Sequence, residues 1–146
     1  VHSNGFSLVR KLLLEKLVMS LEDDFQGKKL KDVLLEPTRI YVKEFKANKD
    51  KINALAHITG GGITENLPRV LPENLTAVVD RSKIKVLPIF EFMSKHVELE
   101  EMYRTFNMGV GMILVVNPSN VDAILANTDG YVIGELKEGK REVEFI

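Results

Sequence analysis

Short apolar segments with two different periodicities alternate along the chain, and this alternation constrains the fold more than any other feature. Over residues 6–21 apolar side chains recur every three or four positions, which predicts an amphipathic helix. Residues 52–58 and Met112–Val116 are mainly apolar runs of strand length. Because each element must bury its apolar face against another layer, the pattern predicts an α+β fold: a layered domain with a mixed β-sheet covered by helices.

The other elements are predicted from the same periodicities and from Pro, Gly and capping residues. We expect helical segments over residues 30–34, 37–47, 64–70, 88–96, 100–104 and 120–127. Ser3 or Asn4 is expected to cap the first helix and Thr64 the fourth. We expect further strands over residues 75–80, 131–136 and 141–146, the last two forming a hairpin through a turn at Gly139.

Length and composition favour one domain and exclude several function classes. The chain has 146 residues, 45% of them hydrophobic and 28% charged, as in a globular protein. Its 20 basic and 21 acidic residues nearly cancel, so neither nucleic acid nor a membrane is an expected partner, and no apolar run approaches the ~20 residues of a membrane span. The absence of cysteine excludes disulfides and thiolate catalysis and agrees with a cytoplasmic location.

Three polar, glycine-containing segments are the candidate binding loops, which we name by residue number. The 2–5 loop is His2-Ser3-Asn4-Gly5, the 59–62 loop is Thr59-Gly60-Gly61-Gly62, and the 107–111 loop is Asn107-Met108-Gly109-Val110-Gly111. Glycines let backbone N–H groups face a ligand, and a helix start favours phosphate. None of the loops matches a phosphate-loop or dinucleotide fingerprint, and glycines in simple turns would give the same pattern.

Titratable and aromatic residues outside these loops have more ordinary interpretations. His2 has the chemistry of a general acid or base, or of a phosphate donor, because its pKa lies near neutrality. His57 lies on an apolar strand and His96 near a helix end, so we interpret both as structural. The acidic run at residues 98–101 has no metal-ligand spacing and is typical of a solvated face, so no metal ligands are predicted. Tyr103 and Phe106 are interpreted as apolar anchors.

Four sequence blocks resemble one enzyme family in that family's order. They cover residues 2–10, 35–42, 56–72 and 101–112, and read HSNGFSLVR, LEPTRIYV, AHITGGG continuing to TENLPRVLP, and EMYRTFNMGVGM. These blocks are similar to the signature segments of aminoimidazole ribonucleotide synthetase. The similarity extends over nearly the whole chain from His2 onward and is weakest at residues 21–31 and after Asn117.

The resemblance implies a carboxy-terminal domain, residues 1–146, of a larger two-domain enzyme. The family is a cyclo-ligase of purine biosynthesis that uses ATP to phosphorylate the formyl oxygen of formylglycinamidine ribonucleotide. An amidine nitrogen then attacks the activated carbon and phosphate leaves, which gives aminoimidazole ribonucleotide. In such enzymes ATP and Mg²⁺ are bound mainly by an amino-terminal domain, and the full-length protein is a homodimer. We therefore expect this chain to be part of a longer protein and to be inactive by itself.

By carry-over from the family, His2 is the catalytic residue, in contact with the transferring phosphate or in proton transfer. Substrate or phosphate binding is carried over to Ser3, Asn4, Gly5, Thr59, Gly60, Gly61, Gly62, Asn107, Gly109 and Gly111. For Glu65, Asn66 and Arg69, a structural cap with an outward charge remains an equal alternative. Two rival functions remain: a non-catalytic ligand-binding module, and another ATP-dependent member of the superfamily such as selenophosphate synthetase.

Overall fold

Seven short helices and seven short strands alternate along the computed structural model, which describes residues 1–146. The helices are α1 (Phe6–Val9), α2 (Leu30–Leu34), α3 (Val42–Asn48), α4 (Gly62–Asn66), α5 (Pro88–Ser94), α6 (Leu99–Thr105) and α7 (Val121–Asn127). The strands are β1 (Asp24–Phe25), β2 (Lys28–Lys29), β3 (Ile52–His57), β4 (Leu75–Val79), β5 (Met112–Val116), β6 (Gly134–Glu138) and β7 (Glu142–Phe145). This confirms the predicted α+β class.

The strands form three small sheets, and only one of these is mixed. β1 and β2 make a two-stranded antiparallel ribbon, and β3 pairs antiparallel with β5. The mixed sheet has the order β6-β4-β7, with β4 antiparallel to β6 and parallel to β7. The predicted mixed sheet is therefore present with three strands, and β3 and β5 pair with each other in a separate sheet.

The predicted hairpin of the last two strands is wrong, because β4 lies between them. Gly139 N–H donates to the Asn74 carbonyl at 3.0 Å, and the Thr76 hydroxyl donates to the Lys140 carbonyl at 2.5 Å, so the turn passes over the end of β4. β4 is LTAVV and largely buried, whereas β6 is GELKE and exposed on most of its length. The apolar strand β4 occupies the centre of the sheet, since burying its apolar side chains costs less free energy than burying the charged side chains of β6 would.

The first helix is shorter than predicted and changes type. α1 continues as a π-helix over Arg10–Lys16, and Leu17 N–H donates to the Leu12 carbonyl at 2.9 Å, a five-residue step. Its N-cap is Gly5, with φ 81° and no side-chain capping bond, so the predicted caps Ser3 and Asn4 are wrong. Likewise Gly61, not Thr64, precedes α4.

The helix predicted over residues 37–47 begins five residues later than expected. Residues 37–40 have no regular structure, Tyr41 takes the N-cap position, and α3 starts at Val42. Proline is compatible with a helix start but does not require one, and here the chain runs on past Pro37 before it turns. As a result Tyr41 lies at a helix end beside the loops described below.

The core lies between the helices and the β3–β5 pair. Its 24 buried apolar residues include Leu13, Leu30, Ile63, Met93 and Met102, each fully inaccessible to solvent. The rings of Phe90 and Phe106 pack with centroids 5.2 Å apart. This contact connects α5 to the segment that follows α6, and thereby fixes the wall of the candidate site. No helix has the length and apolar character needed to cross a bilayer.

Candidate functional site

The three glycine-containing loops meet at one small cleft. His2, Asn4, Thr59 and Asn107 supply its polar lining, and the apolar lining is Val1, Ile58, Phe90 and Phe106. The cleft has a cavity volume of about 10 Å³, which is roughly the space of one water molecule. Typical small-molecule pockets have roughly 300 to 1,000 Å³, so this cleft by itself encloses no ligand, and a phosphoryl or formyl group would contact its mouth only.

His2 lies at one end of the cleft against Gly111. A methyl group built on Gly111 would approach Cε1 of His2 to 2.7 Å, so the ring packs directly over that glycine. Nδ1 of His2 is buried and has no hydrogen-bond partner. Burial lowers the pKa of His2, the charges of the Val1 amino group and of His57 lower it further, and Glu36 acts in the opposite direction. The imidazole is therefore neutral at pH 7 and able to exchange a proton.

The 59–62 loop turns its carbonyl groups inward onto one side chain. Asn66, 6% exposed, donates through Nδ2 to the carbonyls of Gly62 at 2.8 Å, Gly60 at 3.1 Å and Thr59 at 3.3 Å. Its Oδ1 accepts from the Thr59 hydroxyl at 3.2 Å. With the carbonyls held by Asn66, the N–H groups of Gly60 and Gly61 donate to no group in the chain.

The side chain of Asn4 lies beside Gly60. Its Oδ1 would be 3.3 Å from a methyl group built on Gly60, and nothing else in the chain approaches that position within 4 Å except the same amide group. Gly60 itself is exposed. Consecutive free N–H groups beside a left-handed glycine, here Gly61 at φ 94°, form the kind of concave backbone that binds anions, and in the chain itself the carboxylate of Glu65 lies against Gly61.

The 107–111 loop, in contrast, satisfies most of its own polar groups. Oδ1 of Asn107 accepts from Gly109 N–H at 2.9 Å, and the Asn107 carbonyl accepts from Val110 N–H at 2.8 Å. Ile58 N–H donates to the Gly111 carbonyl at 2.9 Å, which joins the loop to the end of β3. Asn107 reaches the cleft and Gly111 lies under His2, so these are the loop's two contributions to the site.

Four of the proposed binding residues have mainly packing contacts. Ser3 is exposed, and its hydroxyl bonds only to the Thr38 hydroxyl, at 3.2 Å. Gly5 packs against the Phe106 ring, and Gly109 packs against Leu87 and the Lys85 carbonyl. Gly62 faces the backbone of α6, where a side chain would overlap the carbonyl oxygens of Tyr103 and Phe106. The small size of the three glycines is needed for close approach, which is a structural role.

Sequence reasoning missed two residues of this site. Asn66 was left as an open alternative, although the structure makes it the centre of the 59–62 loop. Tyr41 was predicted inside a helix, whereas its hydroxyl packs over Gly111 beside His2. The one available signal was that both lie within blocks carrying the family resemblance. No cluster of three or more His, Asp or Glu side chains is placed to share a metal ion.

The whole chain, residues 1–146, matches the family described as AIR synthase related protein, C-terminal domain. The chain belongs to this family.

Curated relatives that the chain is similar to are named phosphoribosylformylglycinamidine cyclo-ligase. The protein of Brevibacillus brevis is 48% identical over 99% of this chain and 45% of its own length. The protein of Streptococcus pneumoniae strain Hungary19A-6 is 45% identical over 97% of this chain and 44% of its own length. The chain thus spans about half the length of the curated relatives it matches, and corresponds to their C-terminal domain.

Proposed function

We propose that this chain is the C-terminal domain of an ATP-dependent cyclo-ligase that converts formylglycinamidine ribonucleotide to aminoimidazole ribonucleotide. The observation that carries the proposal is the family match over residues 1–146 together with relatives that are named for this reaction. In this proposal residues 1–146 form one domain of a two-domain parent, which is cytoplasmic and homodimeric.

The polar residues that line the cleft carry no negative charge, which favours an anionic ligand, and the Glu65 carboxylate that lies against Gly61 would have to turn away from it. The free N–H groups of Gly60 and Gly61 and the Nδ2 group of Asn4 can donate to phosphoryl oxygens. His2 adds a neutral imidazole at the other end. We propose that the transferring phosphate, or the formyl oxygen that receives it, binds between His2 and the 59–62 loop.

The two loops contribute different parts of the reaction in this proposal. Phosphorylation turns the formyl oxygen into a good leaving group, and the amidine nitrogen then displaces it as inorganic phosphate. Backbone N–H donors stabilise the charge on the phosphoryl oxygens. We assign to His2 the acceptance of the proton that the attacking nitrogen loses, since burial lowers the pKa of its ring and leaves the ring uncharged at pH 7.

The residues of this cleft do not fit a magnesium ion. Mg²⁺ prefers carboxylate oxygens in octahedral geometry, and the cleft lining contains none. We therefore propose that ATP and Mg²⁺ are bound mainly by the amino-terminal part of the parent, and no step in this domain is assigned to the metal.

A substrate assay on the full-length parent tests this function. We expect ATP-dependent formation of aminoimidazole ribonucleotide from formylglycinamidine ribonucleotide, and no turnover by residues 1–146 alone. Formation of selenophosphate from selenide instead would assign the parent to the other ligase class. Phosphate binding without any turnover by the parent would indicate a non-catalytic module.

A further inference from the structure

Tyr41 lies beside His2, next to the cleft, and comes from the segment before α3, outside the three loops. It occupies the residue before α3, with φ −102°, and is partly buried. Of all atoms in the chain, its hydroxyl oxygen is nearest to the open side of Gly111, and Cε1 of His2 is next. Gly111 has no side chain, and this is what leaves room for both residues on the same side of the backbone.

The Tyr41 hydroxyl has no partner in the chain. It makes no hydrogen bond to any backbone or side-chain group, and it is not fully buried. Tyr131 differs, because its hydroxyl accepts from Lys85 N–H at 3.0 Å. A phenol that is held in a cleft with an unused donor is positioned for a ligand more than for the fold.

An ion-pair network holds the Tyr41 ring in place. The Arg39 guanidinium lies over the ring, 5.3 Å from its centroid. Arg39 donates two bonds to Asp129, at 2.6 and 2.9 Å, and a third to Glu44 at 2.7 Å. Exposed ion pairs contribute only about 0 to 1 kcal/mol to stability. We therefore interpret the bidentate Arg39–Asp129 pair as a means of positioning the Tyr41 ring more than as a source of stability.

The chemistry of the pair suits an anionic oxygen. Burial raises the pKa of Tyr41, so its hydroxyl keeps its proton through the neutral range and acts as a donor. The neighbouring His2 ring is uncharged for the reason given above. Two neutral hydrogen-bonding groups on one side of Gly111 provide the arrangement that stabilises an oxyanion without a fixed positive charge.

We propose that Tyr41 is a further ligand-binding residue of the cleft, whose hydroxyl donates a hydrogen bond to a phosphoryl oxygen bound beside His2, and that Arg39 and Asp129 are positioning residues for its ring. The proposal rests on the proposed function only in taking the ligand to carry a phosphoryl group. It adds a third donor group, from the segment before α3, to the two loops already described.

The test is a titration of the chain with inorganic phosphate, followed through the backbone amide signals of Gly60, Gly61 and Gly111 in NMR spectra. Sodium chloride at matched ionic strength controls for salt. We expect wild type to bind phosphate and Tyr41→Phe to bind it about tenfold more weakly, because a hydrogen bond to a charged group is lost. Tyr131→Phe is the matched control and should bind like wild type, with slightly lower thermal stability.

Asp129→Asn tests the positioning role. It should weaken phosphate binding less than Tyr41→Phe does, and in the double variant it should add nothing to the Tyr41→Phe loss. If Asp129 had only a structural role, Asp129→Asn would weaken phosphate binding equally in wild type and in Tyr41→Phe. That result would contradict its positioning role.

Two outcomes would overturn the inference about Tyr41: wild-type affinity in Tyr41→Phe, or no phosphate-dependent shift at these amides in wild type. The proposed function fails separately, if the parent makes no aminoimidazole ribonucleotide while its C-terminal domain still binds phosphate through Tyr41.

Discussion

The 59–62 and 107–111 loops are both rich in glycine and both border the cleft, but they use their backbones in opposite ways. In the first, the Asn66 side chain donates hydrogen bonds to three carbonyls, and the N–H groups of Gly60 and Gly61 remain free. In the second, Asn107 closes the loop on itself through Gly109 and Val110. Glycine content therefore does not identify an anion site. What distinguishes the two loops is the direction in which their carbonyls are held, because this decides whether the N–H groups are free for a ligand.

The largest expected effect on stability comes from Gly62, where the 59–62 loop meets α6. In Gly62→Ala the new methyl group would overlap the carbonyl oxygens of Tyr103 and Phe106, at a residue with φ 60°. We expect a loss of about 3 to 5 kcal/mol in the free energy of unfolding, measured by urea denaturation.

The matched control is Gly27→Ala. Gly27 has φ 91° but no atom within 4 Å of the added methyl group, so only backbone strain of about 1 to 2 kcal/mol applies. Equal losses at the two positions would show that the close approach of α4 and α6 is not what requires glycine.

The next effect compares the two asparagines directly. Asn66→Ala leaves the carbonyls of three loop residues without their donor, and we expect it to cost about 2 to 3 kcal/mol. Asn107→Ala removes a single side-chain bond, to Gly109 N–H, and should cost about 1 kcal/mol.

Hydrogen exchange distinguishes loss of loop order from loss of global stability in these variants. Exchange at the Ile63 and Leu67 amides of α4 and its end should rise in Asn66→Ala beyond what the lower global stability explains. If Asn107→Ala were the more damaging substitution, the contrast between the loops would be refuted.

The sequence predicted the strands of the site better than its side-chain contacts. β3 and β5 were predicted almost to the residue, because each is an apolar run that ends at polar or glycine residues. The start of α3 was wrong because Pro37 fits a helix start and an irregular segment equally well. The role of Asn66 depends on the loop folding back over its own helix, which no local periodicity encodes.

The same reasoning explains the wrong hairpin. The turn at Gly139 is visible in the sequence, but pairing of both last strands with β4 depends on contacts between residues 55 to 66 positions apart. Strand propensity does not show whether the last two strands pair with each other or lie on either side of a more apolar strand.

The smallest expected effect is on the pH dependence of stability. Burial lowers the pKa of His2 in the folded chain below its ordinary 6.5, so the unfolded chain binds more protons as the pH falls. Stability from the neutral ring is fully present above pH 6.5 and is lost as the pH falls through the folded pKa.

His2→Gln should flatten this dependence, measured as the difference between urea midpoints at pH 7.5 and pH 5.5. His96→Gln, at an exposed histidine, is the control and should leave the slope unchanged. An unaltered slope in His2→Gln would mean that the ring is not buried as the structure has it.

The most direct test of the account is the turnover of the full-length parent carrying His2→Ala, at saturating ATP and formylglycinamidine ribonucleotide. His2 precedes α1 and is outside the apolar core, so its loss should spare the fold. We predict a loss of turnover on the order of a hundredfold or more, with unchanged thermal stability and with His96→Ala fully active. Near-wild-type turnover in His2→Ala would contradict the claim that the cleft between the 2–5 and 59–62 loops is the reacting site.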